Sequence, residues 1–212
     1  MIDFFKNRTI QPTWEHEVGD YFADDSSSFY RTLANIEGDW NTNPEITEFY
    51  ESKNPGVLKQ NAKYNQTLQT RFDPMKLDGR ESEYHRLINA TGLDIVESFI
   101  HLQKPGQMTV MHYDGARCEG KLDHMTEQHK RQQVIKLFIF LDDWSPGQVM
   151  LMGSDHLAKW RKGDVLWFDW PNLPHGTANF GLENRPMLFI VGTKTPKFQA
   201  LFDQKDITRI TV

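Results

Sequence analysis

Cysteine is almost absent: Cys118 is the one thiol in 212 residues. A single thiol excludes an internal disulfide framework and any cysteine-rich zinc site. Long apolar runs are missing too. The longest, 137–141 and 187–191, fall far short of the roughly 20 residues a membrane-spanning helix needs. Positive charge is not in excess. Lys plus Arg number 24 against 29 acidic residues, for a net charge of −5 and a pI near 5.9. That balance argues against general binding to nucleic acid or to anionic membranes. The first ten residues carry Asp3, Lys6 and Arg8 and no apolar stretch ending in a small-residue cleavage site. No repeat of fixed period and no low-complexity tract is present. The expectation is a soluble, cytoplasmic protein with neither a nucleic acid nor a membrane as partner. Hydrophobic residues make up only 38%, but 14 Phe and six Trp can fill a core that the aliphatic residues would leave thin. The length suits one domain spanning 1–212.

Texture divides the chain. Residues 1–90 are polar and read as mainly helical or irregular. Asp24–Ser28 reads as a loop or helix start, Asn41–Pro44 as a break, and Ile46–Ser52 as a short helix. In Glu81–Ala90, Tyr84, Leu87 and Ile88 recur at helical spacing and Gly92 follows as a stop. From Leu93 the pattern turns to β. Short strands are expected at 94–102, 107–112, 134–141, 148–152, 164–169, 175–179 and 187–191. Turn signals at Lys104–Gln107, Ser145–Gly147, Lys162–Gly163 and Pro171–Pro174 separate several of them. Residues 93–195 therefore read as a mainly β core, an all-β barrel or jelly roll. Helices from the N-terminal third would pack on one outer face, and 196–212 would form a C-terminal tail.

The chemistry centres on His112-Tyr113-Asp114. On a strand, residues two apart share a face, so the imidazole and the carboxylate can converge. His175 opens another expected strand. Two imidazoles and one carboxylate form the facial triad of non-haem Fe(II) oxygenases, which leaves coordination positions open. The plainer alternative is a hydrogen-bonded pair at a strand end. Arg185 stands ten positions after His175, at the start of the last apolar strand. Its planar fork matches a carboxylate, and an inward-facing arginine in a barrel needs an anion. Its plainer alternative is a rim position paired with Glu183.

With these four residues set in a β-roll pattern, the chain resembles the 2-oxoglutarate-dependent Fe(II) dioxygenases. The stretches Ser98–Asp114 (SFIHLQKPGQMTVMHYD), Trp160–Asp169 (WRKGDVLWFD) and His175–Gly181 (HGTANFG) are similar to that superfamily. In particular they are similar to its aspartyl/asparaginyl β-hydroxylase-like branch, although many members of that branch lack the carboxylate ligand. The resemblance spans about 93–195. It implies a double-stranded β-helix, a cupin-like jelly roll. It implies Fe(II) on His112, Asp114 and His175, with 2-oxoglutarate chelating the metal and its far carboxylate on Arg185. O2 would complete the set, with decarboxylation to succinate coupled to hydroxylation of a substrate. Asp114 favours hydroxylation, since related halogenases carry a small residue there. Many members place a Ser two residues after the Arg. Here that residue is Met187, behind Pro186. The missing hydroxyl would come from Thr177 or Thr109, and Lys136 is a rival anchor for the co-substrate. Such a site would act on a small molecule or on an amino-acid residue in a peptide or protein. Two other readings stay open: a metal-binding cupin-like protein without 2-oxoglutarate chemistry, and a non-enzymatic β-sandwich interaction module.

The remaining histidines fall in expected loops (His124, His129 and His156) and read as solvated, while His101 reads as structural. Trp144, Trp160, Trp167 and Trp170 read as packing. Cys118 has no activating neighbours. Residues 115–131 form a long polar loop directly after the first ligands, either a lid or a passive excursion.

Overall fold

The structure, a computed structural model, describes residues 30–40, 70–72, 81–114, 122 and 124–212. The described chain is mainly β. Strands β1 (Tyr30–Glu37) and β2 (Thr70–Phe72) precede helix α1 (Glu81–Ala90); β3 (Asp94–Gln103) and β4 (Met108–His112) follow. Next come α2 (Glu127–Gln133), β5 (Val134–Phe140), β6 (Gln148–Met152), β7 (Asp155–Leu157), β8 (Asp164–Phe168), β9 (His175–Asn179) and β10 (Arg185–Thr193). Helix α3 (Pro196–Phe202) and β11 (Thr208–Thr211) end the chain.

Two sheets result. The larger runs β11-β1-β8-β5-β10-β3-β2, the smaller β4-β9-β6-β7. Neither closes on itself, an arrangement consistent with a double-stranded β-helix. The central strands β5 and β10 are buried almost throughout. Their near-continuous apolar runs arise because both faces of the larger sheet are covered. Alternate residues then divide between two cores. Ile135, Leu137, Ile139, Leu188 and Ile190 face outward and pack with Tyr84, Leu87 and Ile88 of α1 and Phe198 of α3. Phe138, Phe140, Met187, Phe189 and Val191 face inward, towards Met150 and Met152 of the smaller sheet.

Local signals explain several boundaries. Gly92 ends α1 with φ +73°, the left-handed conformation a helix stop requires. Thr195 caps α3 by accepting from Phe198 N–H, and Pro196 opens the helix, where a missing N–H costs nothing. Gly163 has φ +85°, and an added Cβ would lie 1.9 Å from the Ile36 carbonyl oxygen. That close approach lets β1 lie against β8.

Three expectations are corrected. The first third contains strands, and β1 joins the larger sheet; its polar, half-buried sequence conceals a pairing that β8 imposes. Residues 196–212 are no tail: β11 pairs in parallel with β1 and closes that edge. The long loop holds helix α2, capped by the Thr126 hydroxyl, while Leu122 is buried in the inner core. Of the helices expected in the first third, 81–90 is present; the readings at Asp24–Ser28 and 46–52, and Cys118, lie outside the described residues. Among the described residues no helix is long and apolar enough to cross a membrane.

Candidate metal and carboxylate site

His112 ends β4 and His175 begins β9, and the two are cross-strand partners. Their rings lie 4.6 Å apart between centroids. The register of β4 shifts between Thr109 and His112. In a regular strand residues three apart face opposite ways; the irregularity turns both Thr109 and His112 to the interior. Asp114 lies beyond the end of β4, so the chain leaving the sheet, not the strand pleat, carries its carboxylate to the histidines. His112 Nε2 is 3.5 Å from Asp114 Oδ1, and His175 Nε2 is 3.8 Å from Oδ2. One ligand atom from each of the three lies within 4.8 Å of the others, the sole such group among the described residues.

Both imidazoles are oriented from behind. His112 Nδ1 is 2.8 Å from the Val110 carbonyl oxygen, and His175 Nδ1 is 3.1 Å from that of Leu173. A carbonyl can only accept, so each Nδ1 carries a proton and each Nε2 faces the shared point. Phe168 stacks edge-on against His175 at 4.6 Å. Burial pushes the His175 imidazole down to about 4, outweighing the Asp114 charge beside it, so this ring is neutral near pH 7. Burial also acts to lower His112, but the hydrogen bonds to Asp114 and the Val110 carbonyl prevail and its affinity for a proton is raised. Burial would raise Asp114. The His112 contact and the charges of His175 and Lys136 outweigh it and hold the carboxyl well below the usual range.

Lys136 is buried, facing inward from β5, which corrects the solvent-facing alternative for this strand lysine. Its Nζ lies 2.9 Å from Asp114 Oδ2 and 4.7 Å over the Trp170 ring. Trp170 is fixed by its indole N–H donating to the Val134 carbonyl. Lys136 thus belongs with the triad.

Arg185 belongs to a different level. It is 1% exposed and directly opposite Gln103 on β3, which corrects the rim alternative; among the described residues it has no acidic partner within ion-pair distance. Nη1 donates to the Val149 carbonyl at 3.4 Å, and the guanidinium sits 6.0 Å over the Trp160 ring. Nε and Nη2 have no partner among the described residues. Burial lowers its pKa to about 9. Thr177, two residues beyond His175 on β9, pairs across strands with Thr109. Both hydroxyls accept from the Gln103 amide, at 2.7 and 3.3 Å. Gln103 escaped the sequence reading. The signal available was its alternation with Phe99 and His101 on one face of β3, which makes it an inward polar residue.

The donor set of two neutral imidazoles and one carboxylate fits a divalent iron ion. The unpartnered N–H groups of a fully buried guanidinium fit a carboxylate, because a buried charge without a partner is costly. His124, His129 and His156 are exposed and lie outside this cluster. His101 is buried, stacked on Phe99 and Phe189.

No family model and no curated protein matches the chain. Among solved structures, it is similar to the non-heme alpha-ketoglutarate-dependent epimerase SnoN from nogalamycin biosynthesis. Identity is 14%, over 84% of this chain and 81% of that one, with a TM-score of 0.47. It is also similar to the viral collagen prolyl hydroxylase of Paramecium bursaria Chlorella virus-1, solved as a 2OG complex. There the identity is 12%, over 79% and 96% of the two chains, with a TM-score of 0.44. A Cupin 2 conserved barrel domain protein from Salinispora arenicola is similar at 12% identity, over 66% and 90%, with a TM-score of 0.34. Likeness at these values assigns no activity.

Proposed function

We propose that this chain is a non-haem Fe(II) oxygenase that couples decarboxylation of 2-oxoglutarate, to succinate, with hydroxylation of a second substrate. The observation that carries the reading is Arg185: a fully buried guanidinium with two donor nitrogens that have no partner among the described residues, on the inner face of the roll that also holds the triad. A metal-binding protein without a carboxylate co-substrate has no use for that costly charge.

His112, Asp114 and His175 would hold the iron, whose bound form supplies activation of dioxygen and the two-electron oxidation. Three protein ligands leave room for a bidentate 2-oxo acid and for dioxygen. Arg185 would take the far carboxylate in paired charge-assisted hydrogen bonds and so set the direction in which the acid lies. Phe138, Phe168 and Met187 line the inner core and keep water from the space between. The Nδ1 hydrogen bonds of both histidines fix the rings before the metal arrives, so little reorganisation accompanies binding. In keeping with the resemblance to β-hydroxylases, the proposed substrate is an amino-acid residue in a peptide or protein, or a related small molecule.

The test is anaerobic loading with Fe(II) followed by 2-oxoglutarate and a pulse of air, with succinate measured. Succinate should form with wild type and not with His112→Ala, Asp114→Ala or His175→Ala. Metal-loaded wild-type protein that neither binds 2-oxoglutarate nor yields succinate would overturn the proposal.

A further inference from the structure

Arg185, Gln103 and Thr177 are buried polar residues on neighbouring strands, and their hydrogen bonds do not balance. Gln103 is fully buried. Its Nε2 donates to the hydroxyls of Thr177 and Thr109, while its Oε1 has no partner among the described residues. Arg185, its cross-strand partner, has N–H groups at Nε and Nη2 without a partner among the described residues. Side chains directly opposite on antiparallel strands share a face and are near neighbours.

A carboxylate bound at Arg185 satisfies the guanidinium but not the Gln103 oxygen, since a carboxylate brings no proton. Turning the amide by half a revolution about its last bond removes the conflict, and that terminal torsion is soft and nearly two-fold. The carbonyl oxygen then accepts from the Thr177 and Thr109 hydroxyls. The amide N–H2 takes the former place of the oxygen, on the sheet face that Gln103 shares with Arg185. Every polar group is then paired only if an anion is present.

We propose that Gln103 is a third donor to the carboxylate held by Arg185, with Thr177 and Thr109 holding its amide in the donating orientation. It fills the part of the hydroxyl that is missing at Met187. The inference rests on the proposed 2-oxoglutarate site and adds a binding residue to it.

The experiment uses the full chain loaded with Zn(II), with calorimetric titration of two ligands. One is 2-oxoglutarate; the other is 2-oxopentanoate, which has a methyl group in place of the far carboxylate. Gln103→Leu and Gln103→Glu should weaken 2-oxoglutarate by about 10- to 100-fold, the range for one hydrogen bond to a charged group. Both should leave 2-oxopentanoate and Zn(II) affinity unchanged. Gln103→Glu keeps the side-chain shape and gives Arg185 a resident carboxylate, so it should also melt at a higher temperature than wild type when ligand-free. Arg185→Met serves as the reference. If it weakens 2-oxoglutarate and the Gln103 variants do not, Gln103 is not a donor and the oxygenase reading stands. If the Gln103 variants weaken both ligands equally, their effect is general distortion and the proposal fails. If no variant affects 2-oxoglutarate, including Arg185→Met, the carboxylate site itself is wrong.

Discussion

Replacing Arg185 by Met should make the ligand-free protein more stable and the liganded protein worse. Burial lowers the guanidinium well below its ordinary value, to about 9. At about 1.4 kcal/mol per unit, keeping it charged in the core costs on the order of 5 kcal/mol. In return the side chain makes a 3.4 Å contact to the Val149 carbonyl and lies 6.0 Å over Trp160, both long. A methionine fills similar space without an unpaired charge. Exchanges of buried charge for apolar side chains are neutral or stabilising by about 1–4 kcal/mol. For a domain of this size each kcal/mol raises Tm by about 2–4 °C. Binding should move oppositely. Loss of a charge-assisted contact to a buried carboxylate costs on the order of 2–5 kcal/mol, or about 30-fold and upward in Kd. Differential scanning calorimetry of the Zn(II)-loaded protein reads both effects. Wild type should gain about 2.7 kcal/mol with 2-oxoglutarate at 100 times its Kd, and the variant about 0.9 kcal/mol or less at the same concentration. A variant that melts lower without ligand, yet keeps the full ligand-induced shift, would show that Arg185 is a structural residue and refute the reasoning.

Metal affinity should depend on pH through one proton. His175 and Asp114 are already deprotonated near neutrality, whereas His112, with its raised proton affinity, must lose a proton to ligate. Affinity for Co(II), followed by its visible absorption, should therefore be flat above the His112 pKa and fall about tenfold per pH unit below it. A slope of two protons, or none, between pH 8 and 5.5 would contradict the assignment. Lys136→Met should leave the 2-oxoglutarate Kd within about twofold of wild type, because its ammonium is engaged by Asp114 at the triad end. A loss as large as that of Arg185→Met, measured by the same calorimetry, would transfer the anchor to Lys136.

How far the site was legible can be followed residue by residue. His112 and Asp114 were found through strand periodicity, yet Asp114 lies off the strand and His112 reaches the interior through an irregularity in β4. Strand periodicity alone does not account for their convergence, because bulges leave no composition signal. Lys136 could not be placed, since a fully covered strand carries no polar face against which to orient it. Strand β1 was missed because its residues favour β structure weakly and its pairing with β8 and β11 is non-local.

Taken alone, the amino-acid order determined the mainly β character of 93–195, the turns at its glycines and the presence of two imidazoles, a carboxylate and a guanidinium on expected strands or at their ends. Those follow from local periodicity and from the few chemistries such side chains share. Only the tertiary structure decided that the larger sheet is covered on both faces and that Lys136 pairs with Asp114. It alone set Gln103 opposite Arg185. Each of these depends on which strands become neighbours, and that is settled by burial across distant segments rather than by any stretch of chain.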